Sequence, residues 1–149
     1  MNKVKTTYPA TVRTPAVLAW LRMARVFQKM EHGSTEHLRQ WDLSVAQFDV
    51  IAQVGRAEGI TQQELADRLL VTKGNICQLL ERLERRGLIV RHQEGRANHL
   101  FLTEEGQRLY AEVVPAQERW VAEQFAALPT EEQHHLLATL RVLDRSLAE

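Results

Sequence analysis

The side chains best placed to recognise another molecule in this 149-residue chain are amides and guanidiniums at helical spacing. The segment from Thr72 to Arg86 (TKGNICQLLERLERR) reads as a helix. At about 100° per residue, Ile76, Leu79, Leu80 and Leu83 fall on one side and must face a core. Gly74, Gln78 and Arg85 fall opposite, flanked by Asn75 and Arg82. The exposed N-terminal half is small or polar, with Lys73 its one charge. Such a face suits a DNA major groove: Gly74 permits close approach, and the Asn75 and Gln78 amides can pair with base edges. Thr72 and the helix N-terminus supply donors for a phosphate. The competing reading is an ordinary solvated face.

Two neighbouring segments favour the DNA reading. Upstream, Thr61, Gln62 and Gln63 place more donors at a helix start. Downstream, Arg91, His92, Arg96 and Asn98 surround a turn at Glu94–Gly95. An arginine on a short ribbon beside a recognition helix enters the adjacent minor groove or grips a phosphate. Three such elements together are less expected by chance than any one of them.

Other chemistry is weakly marked. No GxSxG, GxxxxGK or GxGxxG motif occurs, so neither an enzyme nor a cofactor is expected. The six histidines form no i, i+4 pair and no HExxH. The single cysteine, Cys77, lies beside the apolar stripe of its helix with only Lys73 as a cationic neighbour, which reads as packing and not as a reactive thiolate.

The elements that position these residues follow from periodicity and caps. After Thr14, Pro15 suits a first helical turn. Val17, Leu18, Leu21, Ala24, Phe27 and Met30 then recur at helical spacing, widened by Trp20 and Met23. Gly33 and Ser34 are expected to break that helix, with a shorter segment from Thr35 to Trp41 after it. Ser44–Gln47 (SVAQ) is a capping box, and Phe48, Ile51, Ala52 and Val54 form the buried face of the helix it opens. Gly59 closes it. Thr61–Glu64 (TQQE) is a second box, with Leu65, Ala66 and Leu69 inward. Two capped helices joined by a tight turn make a helix-turn-helix.

Leu88–His92 and Asn98–Leu102 then read as strands of a two-stranded wing. Thr103 caps a long helix, through Leu109, Val113, Trp120 and Phe125 to about Leu128, that Pro115 should kink. Pro129–Thr130 caps a last helix with leucines at 136, 137, 140, 143 and 147, spaced like a helix-pair seam. The fold class is therefore mainly α: a winged helix-turn-helix with a short β-hairpin wing, flanked by N- and C-terminal dimerisation helices. The divisions fall at residues 1–42, 43–103 and 104–149.

Composition is that of a globular chain, 44% hydrophobic and 26% charged. No apolar run approaches the ~20 residues of a membrane span. Met1 to Thr14 lacks the apolar core of a signal peptide, and one cysteine makes no internal disulfide, so a reducing cytoplasm is expected. Net charge is zero, but residues 1–30 carry six basic groups and no acid, whereas nine acids and four bases follow residue 103. A neutral total thus conceals a polar arrangement, and local fields decide what such a chain attracts.

The TQQELADRL, LLERLERRGLI and LTEEG segments, in this order around the hairpin, resemble the multiple-antibiotic-resistance regulator (MarR) family. The match runs from about Leu43 to Gly106, and the terminal helices fit the family's dimerisation region. The resemblance implies a homodimeric winged-helix regulator, usually a repressor, that leaves DNA on binding a small ligand or on oxidation. A twofold dimer with one recognition helix per subunit is expected to read an inverted-repeat operator. Where the family wing holds Asp-x-Arg, this chain has Glu94-Gly95-Arg96 in a shorter, less basic wing, and Arg96 takes the family arginine's place. The family places its effector between the terminal helices and the winged region. There Arg25, His32 and Trp41 would offer a cation, a switchable donor and an aromatic wall to an anionic aromatic compound. Against this stands the plainer reading of a surface arginine, a loop histidine and a core tryptophan. Two alternatives remain: a zinc-responsive regulator of the same fold with ligands from several helices, and a helical adaptor that uses its leucine seam on another protein. An adaptor has no need of Arg91, Arg96 and Asn98 beside a Gln/Asn-faced helix.

Overall fold

The computed structural model describes residues 14–69 and 73–148. Helix α1 spans Pro15–Leu38, with the Thr14 hydroxyl accepting from Val17 N and proline in the first turn. It passes straight through Gly33 and Ser34, contrary to the expected break. The reason is packing: a Cβ on Gly33 would lie 2.6 Å from Cζ2 of Trp120, and Ser34 is buried against Gln117. Glycine here admits a ring and does not end a helix. A 3-10 turn, Arg39–Trp41, leads to α2 (Val45–Arg56), whose Ser44–Gln47 capping box is complete in both directions.

Helices α3 (Gln62–Leu69) and α4 (Lys73–Arg85) form the helix-turn-helix. Strands β1 (Ile89–Glu94) and β2 (Ala97–Leu102) pair antiparallel from Ile89↔Leu102 to Glu94↔Ala97. The connection is therefore the two-residue turn Gly95–Arg96. A third segment joins this hairpin: Gly59 N donates to Leu100 O (2.8 Å) and Leu100 N to Ile60 O (2.9 Å). Periodicity gave no sign of this pairing, because three residues are too few to show alternation. Its effect is to fix the start of α3 against the wing.

Helix α5 (Glu104–Gln124) runs through Pro115, and α6 spans Thr130–Leu147. Thr103 caps α5 as expected, accepting from Gly106 N at 3.0 Å. The α5–α6 turn differs from expectation. Pro129 provides no side-chain cap, having no donor or acceptor beyond its backbone carbonyl. Instead Gln133 Nε2 donates back to the carbonyls of Phe125 and Leu128, at 3.2 and 3.0 Å.

One core joins α2 and the winged region to the C-terminal end of α1 and the middle of α5. Val50, Ile51 and Val54 of α2 meet Leu65, Ile76, Leu80, Leu83, Ile89 and Leu100 of the winged region, together with Leu38 of α1 and Val113 of α5. No helix among the described residues is long and apolar enough to cross a membrane.

The glycine of LTEEG has a structural cause. A Cβ on Gly106 would collide with the carbonyl oxygen of Leu88, a backbone atom that cannot swing aside. Overpacking of this kind costs about 1–3 kcal/mol or more, against a gain of about 1 kcal/mol in helix propensity. Gly106→Ala is expected to destabilise the protein by a net ~1–2 kcal/mol in urea denaturation. A melting curve unchanged from wild type would show that α5 is free to shift.

Candidate nucleic-acid interface

Helix α4 buries Ile76, Leu80 and Leu83 completely and exposes Asn75, Gln78, Arg82 and Arg85. The expected faces are observed for Ile76, Leu80 and Leu83 against Gln78 and Arg85, with Leu79 partly buried. Lys73 and Gly74 open α4. Thr72 and the side-chain placement of Lys73 lie outside the described residues. At the start of α3, Thr61 Oγ1 accepts from Glu64 N at 3.1 Å. Thr61, Gln62 and Gln63 meet Arg96, Ala97 and Asn98 of the wing across a shallow cleft of about 250 Å3. The helix-start donors and the wing arginine therefore belong to one surface.

Two of the expected contact residues are engaged inside the protein. Arg91 pairs with Glu84 of α4 at 2.6 Å, the two side chains only 23% and 32% exposed. Its other nitrogen reaches Gln62 Oε1 at 3.4 Å, and Gln62 Nε2 donates to Cys77 Sγ at 3.0 Å. This chain of contacts ties α4, α3 and β1 together. Arg91 and Gln62 thus serve as struts that set the angle of α4, and Cys77 is half-buried as an acceptor in the same tie. Gln63 is exposed, its amide donating to Asp67 at 3.1 Å.

Arg96 is exposed at the turn and makes no ion pair among the described residues. His92 is exposed and meets Phe101 edge-on at 5.3 Å. His99, noted only as one of six histidines, is structural: its Nδ1–H donates to Gly59 O at 2.8 Å and so reinforces the third-strand pairing. No group of three or more His, Cys, Asp or Glu side chains among the described residues could hold a metal ion.

The three side chains expected to receive an anionic aromatic do not share a cavity within the subunit. Because α1 is unbroken, Arg25 and His32 lie on one face, about 10 Å apart along the axis. Arg25 lines a groove with Leu18, Leu21 and Arg22. Trp41 lines a separate cavity with His37 and Trp120. The cleft between α1, α2 and α5, about 330 Å3, is acidic. Its one arginine, Arg56, is paired to Glu118 at 3.2 Å. Burial, and then the Glu31 carboxylate, push the Asp49 carboxyl above its ordinary range. An anion placed there meets repulsion.

Residues 41–97 match the model of the MarR family. An uncharacterised HTH-type transcriptional regulator of Bacillus anthracis is 37% identical over 123 residues, covering 83% of this chain and 84% of its own. The chain belongs to the MarR family. It is a transcriptional regulator, and the family is not one of enzymes. The transcriptional regulator HosA of Escherichia coli O127:H6 is similar at 26% identity, covering 78% of this chain and 93% of its own. Among solved structures, Staphylococcus aureus MepR in complex with DNA superposes with a TM-score of 0.77 at 25% identity, over 88% of this chain and 98% of that one. A MarR-family regulator from Rhodococcus sp. RHA1 gives 0.78 at 23% identity, over 88% and 95%. The MarR winged helix-turn-helix is therefore the frame in which the exposed row on α4 and the wing arginine are set.

Proposed function

We propose that the protein is a ligand-responsive repressor that binds an inverted-repeat DNA operator as a homodimer. The observation that carries this reading is the exposed row Asn75, Gln78 and Arg82 on α4, beside the exposed Arg96 at the wing turn. Helix α4 enters the major groove, with Asn75 and Gln78 toward base edges and Arg82 toward the backbone. The backbone start of α4 at Lys73 and Gly74 and the α3 start at Thr61 and Gln63 face phosphates. Asn98 and His92 flank the wing contact. Arg91 and Gln62 act through α4, whose angle they hold. MepR, similar over nearly its whole length, is a family member seen with DNA.

A twofold dimer carrying one α4 per subunit reads half-sites about 10 bp apart, centre to centre. Selection of bound sequences from random duplex DNA tests the reading. Recovery of a palindrome supports it, and recovery of no preferred sequence overturns it.

The wing carries its own prediction. Arg96→Ala is expected to weaken binding to all operators, most on A·T-rich flanks, where a narrow minor groove holds enhanced negative potential. If the guanidinium also neutralises backbone, the salt dependence flattens by about one phosphate equivalent. Far-UV circular dichroism stays unchanged, because a turn residue supports no core. Salt titrations of both proteins on one duplex decide this, and parallel slopes with equal affinities would remove the wing from the interface.

A further inference from the structure

Where α1 ends against the middle of α5, the surface opens into a cavity of about 470 Å3. Small-molecule sites span roughly 300–1,000 Å3. Three rings build its wall. His37 stacks on Trp120, with centroids 5.6 Å apart and planes 21° from parallel. It meets Trp41 edge-on, at 5.3 Å and 70°. Ala116 lies one helical turn from both Glu112 and Trp120 on α5, and its single methyl keeps the space between them open. Glu112 and Glu123 bring two carboxylates, with Arg119 the one opposing fixed charge in the lining.

These groups are held in position. Gln117 accepts from His37 Nδ1–H at 2.7 Å and donates to Ser34 Oγ at 3.1 Å. Both Ser34 and Gln117 are buried. The pairing sets the imidazole tautomer, so that Nε2 of the neutral ring carries the lone pair. Trp41 Nε1–H donates to Glu112 Oε1 at 3.1 Å, which anchors that carboxylate. The second Glu112 oxygen makes no hydrogen bond among the described residues.

Aromatic faces attract cations through their quadrupole. Carboxylates attract them by charge, and an imidazole lone pair accepts an N–H. All three features converge here. We propose that this cavity binds a protonated organic amine with a flat apolar body, the ammonium at the free oxygen of Glu112 and the body against Trp41 and Trp120. A contact leads from there to the DNA-reading helix. Arg86, directly after α4, donates to the carbonyl oxygens of Asp42 (2.7 Å) and Trp41 (3.4 Å). An occupant that moves Trp41 moves the anchor at the C-terminal end of α4. This coupling rests on the DNA-binding reading above, whereas binding of the amine does not.

The test compares 1-naphthylmethylammonium with 1-naphthylacetate, the same ring system with opposite charge, by isothermal titration calorimetry on the full chain without DNA. The amine is expected to saturate at one site per chain, about tenfold or more tighter than the acid. Glu112→Gln should weaken the amine by a similar factor with thermal melting unchanged, since glutamine at 112 still accepts from Trp41. Arg119→Gln should tighten it. Equal affinities, a preference for the acid, or indifference to Glu112→Gln overturns the site. Coupling is read separately on the selected duplex, whose affinity should change about tenfold with the amine present. Arg86→Gln should keep amine binding and lose that change. Amine binding with DNA affinity unaltered overturns the coupling, and amine binding by a chain with no DNA preference overturns the DNA reading alone.

Discussion

The Leu140→Asp protein is expected to sediment as a monomer or to unfold, where the wild-type chain is expected to sediment as a dimer at micromolar concentration. Helix α6 buries none of its residues in the subunit. Leu136, Leu137, Leu140, Leu143 and Leu147 stand exposed along it, as do Val17, Leu18, Trp20, Leu21, Met23, Val26 and Phe27 along α1. Apolar surface this extensive and contiguous marks an interface. The exposed apolar residues of α1 spread over more than a narrow stripe, more than one small neighbour covers. Both terminal helices therefore look for cover beyond their own subunit, and a second copy offers the same two faces in return. A carboxylate at 140 would be buried without a partner, at a cost of several kcal/mol, and twofold symmetry would place two of them in one seam. Ala138→Asp supplies the control. Position 138 lies about 160° around α6 from Leu140, so its charge should stay in water and leave the dimer intact. Sedimentation velocity separates the outcomes, and a well-folded wild-type monomer would contradict the dimer outright.

Local signals were legible wherever cause and effect sit within a few residues. The Ser44–Gln47 box, the Thr103 cap and the Ile76/Leu80/Leu83 face all depend on neighbours one or two turns away, so residue types and spacing suffice. What escaped the sequence depends on partners distant in the chain. Gly33 resembles a helix break until Trp120 is seen to occupy the space that its missing side chain leaves. Arg91 and Gln62 carry the chemistry of DNA contacts, and the same guanidinium and amide serve equally well in an internal tie; only the position of Glu84 distinguishes the two. The Ser34–Gln117–His37 network joins helices from opposite ends of the chain, and no pattern within either helix points to the other. The candidate DNA face was thus readable in outline from α4 and the wing turn. The division between residues that contact and residues that brace required the fold.

That division gives the recognition helix a sharp expectation. Gln78 is exposed on α4, on the side away from Ile76, Leu80 and Leu83. It carries no charge, so whatever it adds to binding comes from hydrogen bonds and not from release of counterions. A glutamine amide bidentate to adenine N6 and N7 contributes roughly 1–3 kcal/mol of discrimination. Gln78→Ala should therefore lower affinity for the selected operator by that amount and relax preference at one base position per half-site, with the salt slope unchanged. Arg91→Ala supplies the contrast. It leaves the half-buried Glu84 without its partner and frees the angle of α4, so it should lower affinity at every position together and reduce thermal stability as well. Measuring both variants against a panel of single-base operator changes separates reading from bracing. A Gln78→Ala protein with wild-type affinity and unaltered base preference would mean that α4 presents a different face to the groove.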